Sequence, residues 1–436
     1  MRIAERNVER VTVLGYGRTG RAVAAYLHEH GVGVFVSDSA VLTDADRESL
    51  STRDIPNEQG GHTLQALHGT DLIVLSPGIR SDVPILQEAR ELSIPILSEL
   101  DLSFSLNPDV PFVAVTGTNG KSTTVKLIEA ILRQRGLNAV AAGNIGLPVI
   151  TLVDDPPDVV VLEVSSFQLE QSSIFRPHVA CLLNIAPDHL DRHGTMDNYI
   201  AAKASLFERQ TASDLAIIER DPRISSVNLA ARKVLFEDIV LPREAFVDSL
   251  APHNCANLRA AIACCRGILP ALDADQIDLQ GLEDAFHLPF RLQLEDAIGQ
   301  VRVINDSKST NAASAITALE SIDGPCVLIL GGRHKGAGYD ALARAIVGRN
   351  VQRVVLFGEG APLLKSTLSD VGYTEMTVCS TLDRALKLAL QEARDGDTVL
   401  FSPACSSYDQ YRNYIERGED FSRLTKFFLG HQSSSL

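Results

Sequence analysis

The segment Thr116-Gly117-Thr118-Asn119-Gly120-Lys121-Ser122-Thr123 stands between the apolar run PFVAVTG and the helical pattern VKLIEAILRQRG. A glycine-bearing loop that feeds a helix turns its backbone N–H groups toward one point. The helix N-terminus favours negative charge there too, so phosphate oxygens are its natural ligand. In such a loop Lys121 reaches the β- and γ-phosphates and the Ser122 hydroxyl reaches a Mg²⁺ ion. Val115 stands where the general phosphate-loop pattern has a glycine. A bare glycine turn before an ordinary helix is the plain alternative; strand, loop, Gly-Lys-Ser and helix together favour nucleotide binding.

A second glycine cluster, Gly15-Tyr16-Gly17-Arg18-Thr19-Gly20, opens the chain's first strand–helix–strand unit, and Asp38 ends the next strand. That spacing suits a diphosphate on a helix N-terminus with an acid on the neighbouring ribose. The residues alone do not choose between NAD and a UDP-sugar.

Other candidates follow apolar runs. Glu163 ends VVVLE, the expected place for a Mg²⁺ ligand near a phosphate loop. Asp188-His189-Leu190-Asp191-Arg192-His193 is dense in possible ligands. No glutamate sits between its histidines as a metallohydrolase requires, and His193 reads as a solvated loop residue. Asn254 and Asn257, after His253, either cap the following helix or hydrogen-bond a base. Three polar clusters close the set: Asn305 to Asn311 (NDSKSTN), Gly331 to Gly336 (GGRHKG) and Ser402 to Tyr411 (SPACSSYDQY). Each follows a strand-like run, and at the strand ends of one sheet they make one binding surface.

The elements that position these residues alternate short β-rich runs with helical stretches, the mark of α/β domains with mostly parallel sheets. The length of 436 residues suits about three domains. The pattern changes near Pro95 to Phe104 and again at FHLPFRLQ, where Pro289 breaks the periodicity. Domains are therefore expected at 1–98, 99–287 and 288–436. The first is Rossmann-like, the second resembles a phosphate-loop ATPase with a mostly parallel sheet, and the third is Rossmann-like and doubly wound.

A net charge of −15 disfavours nucleic acid or an anionic membrane as partner. The longest apolar runs are too short to span a bilayer. MRIAERNVER carries charge where a signal peptide needs an apolar stretch, so a cytoplasmic protein is expected. The seven cysteines include no CxxC pair, which argues against a disulfide framework or structural zinc; they read as core residues. Disorder is expected in the final HQSSSL.

Taken together, TGTNGKST, AGNIGLP, LEVSSFQLE, PDHLDRHG, HNCAN, NDSKSTN, GGRHKG and SPACSSYDQYRNYIERG resemble the Mur ligase family, in order and over nearly the whole chain. LEVSSFQLE, NDSKSTN and SPACSSYDQY are similar to the family's D-glutamate-adding member. The resemblance implies ATP-dependent joining of D-glutamate to UDP-N-acetylmuramoyl-L-alanine through an acyl phosphate, by a monomer using ATP and a pair of Mg²⁺ ions. It turns the first domain into a UDP site, with Gly17, Arg18, Thr19, Asp38, Ser39, Ser76, Pro77, Gly78, Ile79 and Asn144 matching substrate positions. Gly117 to Thr123 match the ATP-phosphate loop, and Ser122, Glu163, His189 and Lys203 the metal site, Lys203 as a carbamate. Asn254, Asn257, Arg291 and Asp306 match nucleotide contacts. Lys308, Thr310, Lys335, Ser407, Tyr408 and Tyr414 match positions around the incoming glutamate, and Lys121, Glu163, His189, Lys203 and Lys308 the catalytic set. The chain departs from the family at Ala40, where some members carry an arginine near the uracil, and in having Phe290 and Leu292 around Arg291. Tyr408 and Tyr414 also replace commonly apolar residues.

Overall fold

The computed structural model describes residues 1–225, 229–298 and 300–432. It contains three larger sheets, and its contacts group the chain into two compact units: residues 1–184 with 200–282, and residues 185–199 with 283–436. Among the described residues no helix is long and apolar enough to cross a membrane.

The first sheet joins Arg10–Leu14 (β1), Gly33–Asp38 (β2), Asn57–Gln59 (β3), Leu72–Leu75 (β4) and Ile96–Ser98 (β5). Their order is β3-β2-β1-β4-β5, all parallel. Alternation along the strands decides the packing. Val11, Val13, Val36 and Val74 meet Val23 and Leu27 of helix α1 (Arg18–Glu29), while Leu14, Ile73 and Leu75 meet Ile85, Leu86 and Ala89. Burial on both faces is why these strands read as unbroken apolar runs.

Helix α2 (Glu99–Leu106) starts inside the segment where the sequence pattern changes. Ser98 and Asp101 form a capping box that satisfies N–H groups of its first turn. The buried Asp101 carboxylate also accepts the N–H groups of Ser173 (2.8 Å), Ile174 (2.9 Å) and Phe175 (2.8 Å). Beside it, buried Glu99 accepts the Ile150 N–H at 2.9 Å. Burial pushes the Glu99 carboxyl up to about 7, against the N–H groups of Ile150 and Val149 and the charge of Arg18.

The second sheet holds Phe112–Thr116 (β6), Ala139–Gly143 (β7), Val159–Glu163 (β8), Val179–Leu182 (β9), Leu215–Ile218 (β10) and Arg232–Leu235 (β11). The order is β11-β10-β9-β6-β8-β7, again parallel throughout. Helix α3 (Lys121–Gln134) follows β6. Short α4 (Leu190–His193) and α5 (Met196–Ala204) come between β9 and β10 in the chain, and α6 (Pro252–Ile268) packs along α3.

The third sheet runs β12-β13-β17-β14-β15-β16, from Gln293–Ile298 (β12), Val301–Asn305 (β13), Cys326–Gly331 (β14), Val351–Phe357 (β15), Met376–Val378 (β16) and Thr398–Ala404 (β17). It is parallel except for β12, which pairs antiparallel with β13. Leu328 and Leu330 of β14 join one apolar layer and Val327 and Ile329 the other, so helices cover both faces as a doubly wound reading requires. The antiparallel edge strand was not expected, because QLEDAI lacks the apolar run of a two-sided strand. Helix α7 (Ala312–Glu320) follows NDSKSTN, and α8 (Tyr414–Gln432) ends the unit. His431 and Gln432 are thus helical where disorder was expected, and residues 433–436 lie outside the described residues. All seven cysteines are free thiols, and five of them are buried.

Candidate functional site

In the first unit the phosphate loop is shaped by its backbone. Fully buried β6 ends at Thr116, and Gly120, at φ +87°, turns the chain into α3. A Cβ at Gly120 would strike Asn257 Oδ1, so only glycine lets α6 approach the loop this closely. Asn184 pins the loop from the end of β9: its backbone O accepts Thr118 N at 2.9 Å, its Oδ1 accepts Asn119 N at 2.9 Å, and its Nδ2 donates to Asn119 O at 3.0 Å. Asn184 is not among the sequence candidates, although its place just beyond a strand end is a usable signal.

Lys121 Nζ curls back to Gly117 O (2.8 Å) and Thr118 O (2.9 Å). Ser122 Oγ donates to Glu163 Oε2 at 2.6 Å, and Asn144 Nδ2 to Glu163 Oε1 at 2.6 Å. Lys203 is buried and donates to Gly117 O at 2.8 Å. Lys121, Ser122, Glu163, Asn144 and Lys203 therefore gather on one loop, with buried Thr123 in the first turn of α3. Asn254 and Asn257 are not caps: α6 begins at Pro252 after Ala251, which puts both asparagines inside the helix. The proline, pre-set for a first helical position, starts the helix earlier than the polar run suggests. Asn257 Oδ1 lies 3.4 Å from Thr124 Oγ1.

At the carboxyl end of the first sheet, Asp38 accepts Tyr16 N at 2.6 Å and Ala40 N at 2.8 Å, tying together the turns after β1 and β2. Ser76 Oγ donates to Gly15 O at 2.7 Å, and Ile79 O accepts the Gln171 side-chain amide. Gly17, Arg18, Ser39 and Gly78 are exposed there, with Thr19, Pro77 and Ile79 half-buried.

In the second unit Lys335 Nζ pairs with Asp188 Oδ1 at 2.6 Å and lies 3.3 Å from Thr310 Oγ1, while Asn311 Nδ2 donates to Asp188 Oδ2 at 3.1 Å. Burial works against ionising Asp188, yet the charges of Lys335 and His189 hold its carboxyl below the ordinary range. His189, at φ +53°, precedes α4 and belongs to this unit, whereas Glu163 and Lys203 belong to the other. His193 is buried beside the Tyr199 ring (5.1 Å between centroids), not solvated: the short helix turns it inward. Buried Asp306 accepts Ser402 Oγ at 2.7 Å and Leu292 N at 3.2 Å. Burial pushes its carboxyl up to about 6, against the Ser402 hydroxyl and the Arg291 charge. Lys308 Nζ sits 5.7 Å from the Tyr414 ring centroid. Ser407 is buried, but Tyr408 is 62% exposed.

The three strand-end clusters of this sheet meet at a residue that sequence reasoning missed. Arg417 is fully buried and donates to Ser307 Oγ (3.2 Å), Ser307 O (2.9 Å) and Cys405 O (3.1 Å). Its guanidinium lies 5.8 Å from the Phe401 ring centroid and 2.9 Å from where a Cβ on Gly332 would stand. Burial lowers its pKa to about 10. The missed signal was helical spacing: Arg417, Phe421, Leu424 and Thr425 share one buried stripe of α8.

A hydroxyl and a carboxylate beside a phosphate loop are hard oxygen donors, so Ser122 and Glu163 fit a Mg²⁺ ion. Among the described residues no three His, Cys, Asp or Glu side chains converge to hold a metal.

A phosphate loop on one parallel sheet, flanked in sequence by two further doubly wound sheets, defines the class. Residues 9–98 match the Mur ligase MurD-like N-terminal domain, residues 115–241 the Mur ligase middle domain, and residues 290–405 the Mur ligase glutamate ligase domain. The chain belongs to the Mur ligase family. It is 36% identical over 447 residues to a protein of Pelotomaculum thermopropionicum, covering 95% of this chain and 97% of the relative. It is 38% identical over 459 residues to one of Acidobacterium capsulatum, covering 98% and 97%. Both relatives are named UDP-N-acetylmuramoylalanine–D-glutamate ligase. Among solved structures, the MurF ligase of Thermotoga maritima in complex with ADP matches the fold with a TM-score of 0.60 at 18% identity, over 92% of this chain and 96% of that one.

Proposed function

We propose that this chain ligates D-glutamate to UDP-N-acetylmuramoyl-L-alanine with ATP, as a cytoplasmic monomer making cell-wall precursor. The observation that carries this reading is the cluster of Lys121, Ser122, Glu163 and Lys203 on one phosphate loop, in a chain similar over nearly its full length to relatives of that name. Residues 1–98 would hold the UDP substrate, 99–287 the ATP, and 288–436 the amino acid.

A carboxylate does not condense with an amine at neutral pH because oxide is a poor leaving group. Transfer of the γ-phosphoryl group to the L-alanine carboxylate gives an acyl phosphate and ADP. The D-glutamate amine attacks the acyl carbon, the C–O bond to phosphate breaks, and amide and phosphate leave after loss of one amine proton. Such a transfer asks for positioning and charge neutralisation rather than covalent help. Lys121 would orient the phosphates; Asn254, Asn257, Arg291 and Asp306 would hold the nucleotide. When bound, Mg²⁺ neutralises phosphate charge; Ser122, Glu163, His189 and carbamylated Lys203 would hold it. The Lys203 ammonium would first give up one proton; the free amine then adds to CO₂ with loss of a second, which turns a cation into an anion suited to a metal site. Lys335, Thr310 and Ser407 would receive the glutamate carboxylates, with Lys308, Tyr408 and Tyr414 around them, and His189 would take the amine proton.

Phosphate release that requires ATP, UDP-N-acetylmuramoyl-L-alanine and D-glutamate together tests the reading. Preference for L-glutamate or a diamino acid would overturn the substrate while sparing the ligase class. Removing CO₂ and bicarbonate should lower the rate if Lys203 is a carbamate; an unchanged rate in CO₂-free buffer counts against it.

A further inference from the structure

The carboxyl end of the first sheet carries a hydrogen-bonded chain that the reaction above leaves unused. Ser37, on β2 immediately before Asp38, is fully buried. Its Oγ donates to Glu58 Oε1 at 2.7 Å and meets His62 Nδ1 at 2.6 Å. Glu58 Oε1 also accepts Thr63 N at 2.9 Å. Burial works against ionising Glu58, but the bonds from Thr63 and Ser37 outweigh it and hold the carboxyl below its ordinary range.

These bonds fix where the protons are. An ionised carboxylate only accepts, and a serine hydroxyl has one proton to give. Ser37 therefore spends that proton on Glu58 and must accept from His62, which places the imidazole proton on Nδ1. In the neutral ring Nε2 is then an acceptor. Among the described residues no hydrogen-bonding group engages Nε2.

The position of this acceptor matters. β3 lies beside β2 with Gln59 opposite Asp38. Gly60 N donates to Ala40 O at 3.3 Å and Gly61 N to Asp38 O at 3.4 Å, so the segment leading to half-buried His62 runs along the turn after β2. In a doubly wound sheet the nucleotide crosses the carboxyl ends, with the acid after the second strand on the ribose and the base beyond it, toward the outer strand. β3 is that outer strand. Uracil offers an N3–H donor between its two carbonyls, whereas cytosine offers an acceptor at N3, so an acceptor at the base separates the two.

We propose that His62, held in one tautomer by Ser37 and Glu58, accepts the N3–H of the substrate's uracil and so selects it. This rests on the UDP-substrate reading above, and the test distinguishes the failure of each. Calorimetric binding of UDP, N3-methyl-UDP, CDP and ATP is compared for the wild type, His62→Ala, His62→Gln and Ser37→Ala. The wild type should prefer UDP over N3-methyl-UDP and CDP by about tenfold or more. His62→Ala should bring both ratios toward one with ATP affinity unchanged, whereas His62→Gln, whose amide oxygen accepts, keeps part of them. Ser37→Ala frees the tautomer and should give an intermediate ratio. Ratios are insensitive to the folded fraction, so a destabilised variant still reports. A His62→Ala protein that keeps the wild-type ratios overturns the base-reading role alone, and a wild type that binds no uridine nucleotide overturns the parent reading with it.

Discussion

The phosphate loop and the C-terminal strand-end clusters hold their cations in opposite ways. The loop is one contiguous stretch, and Lys121 and Lys203 rest on its own carbonyl oxygens. The C-terminal surface is assembled from distant parts of the chain: Arg417 reaches back to Ser307, and Lys335 is matched by the carboxylate of Asp188. The loop keeps its shape from its own backbone turns and from the bonds of Asn184, not from the Lys121 side chain. An assembled surface depends on long-range bonds, so loss of one side chain is felt in both chemistry and stability.

The contrast is sharpest for Lys121→Ala. ADP formation should fall by about 10³-fold or more if, as proposed, Lys121 orients the transferring phosphate. The midpoint of thermal unfolding should barely move, and UDP-substrate binding should persist. A clear drop in that midpoint would mean that Lys121 itself holds the loop's shape.

Arg417→Met should damage both properties. Three acceptors lose their donor, costing about 2–4 kcal/mol in denaturant unfolding. Slack strand ends should lower kcat/KM for glutamate by about 10²-fold. Arg417→Lys keeps charge without the fork and should recover little. Full stability in Arg417→Met would break the comparison.

A smaller effect is expected for Lys335→Ala, about tenfold or more in KM for glutamate with KM for ATP nearly unchanged. Equal damage to both constants would show that the Asp188–Lys335 pair is structural.

The smallest effect concerns Glu99. Its folded pKa of about 7 lies above the ordinary carboxylate value, so the folded state prefers the protonated form. Its contribution to stability is present in acid and lost as pH rises from about 4.3 through the folded value. Glu99→Gln keeps an acceptor for Ile150 N and should flatten that dependence, gaining on the order of 1–2 kcal/mol at pH 8 and little at pH 4. Parallel stability–pH curves for the two proteins would contradict this.

Legibility in the sequence follows the same division. The phosphate loop, Glu163 and the strand ends could be read because type and spacing coincide within a few residues. Asn184 and Arg417 show in the sequence only as a strand-end position and a place on a helical stripe, because the partners that give them a role lie far along the chain. Asp188 stood in a segment already singled out, yet nothing in PDHLDRH names Lys335 as its counter-ion. The cap reading of Asn254 and Asn257 failed because Pro252 opens the helix first, and β12 escaped notice because an edge strand needs no apolar run. The doubly wound sheets were plain from the apolar runs, which two-sided burial demands.

Gly332 has a consequence for any mutational scan of this chain. Its φ is +124°, and a Cβ there would run into Ser406 O and crowd Arg417 Nη1. Every substitution should therefore score as poorly as one at Lys335, three positions along, though for want of space and not of charge. Growth phenotypes would rank the two together and invite a catalytic label for both. Excess glutamate separates them: it restores a variant that binds its substrate weakly, but not one whose strand end can no longer close on its neighbour.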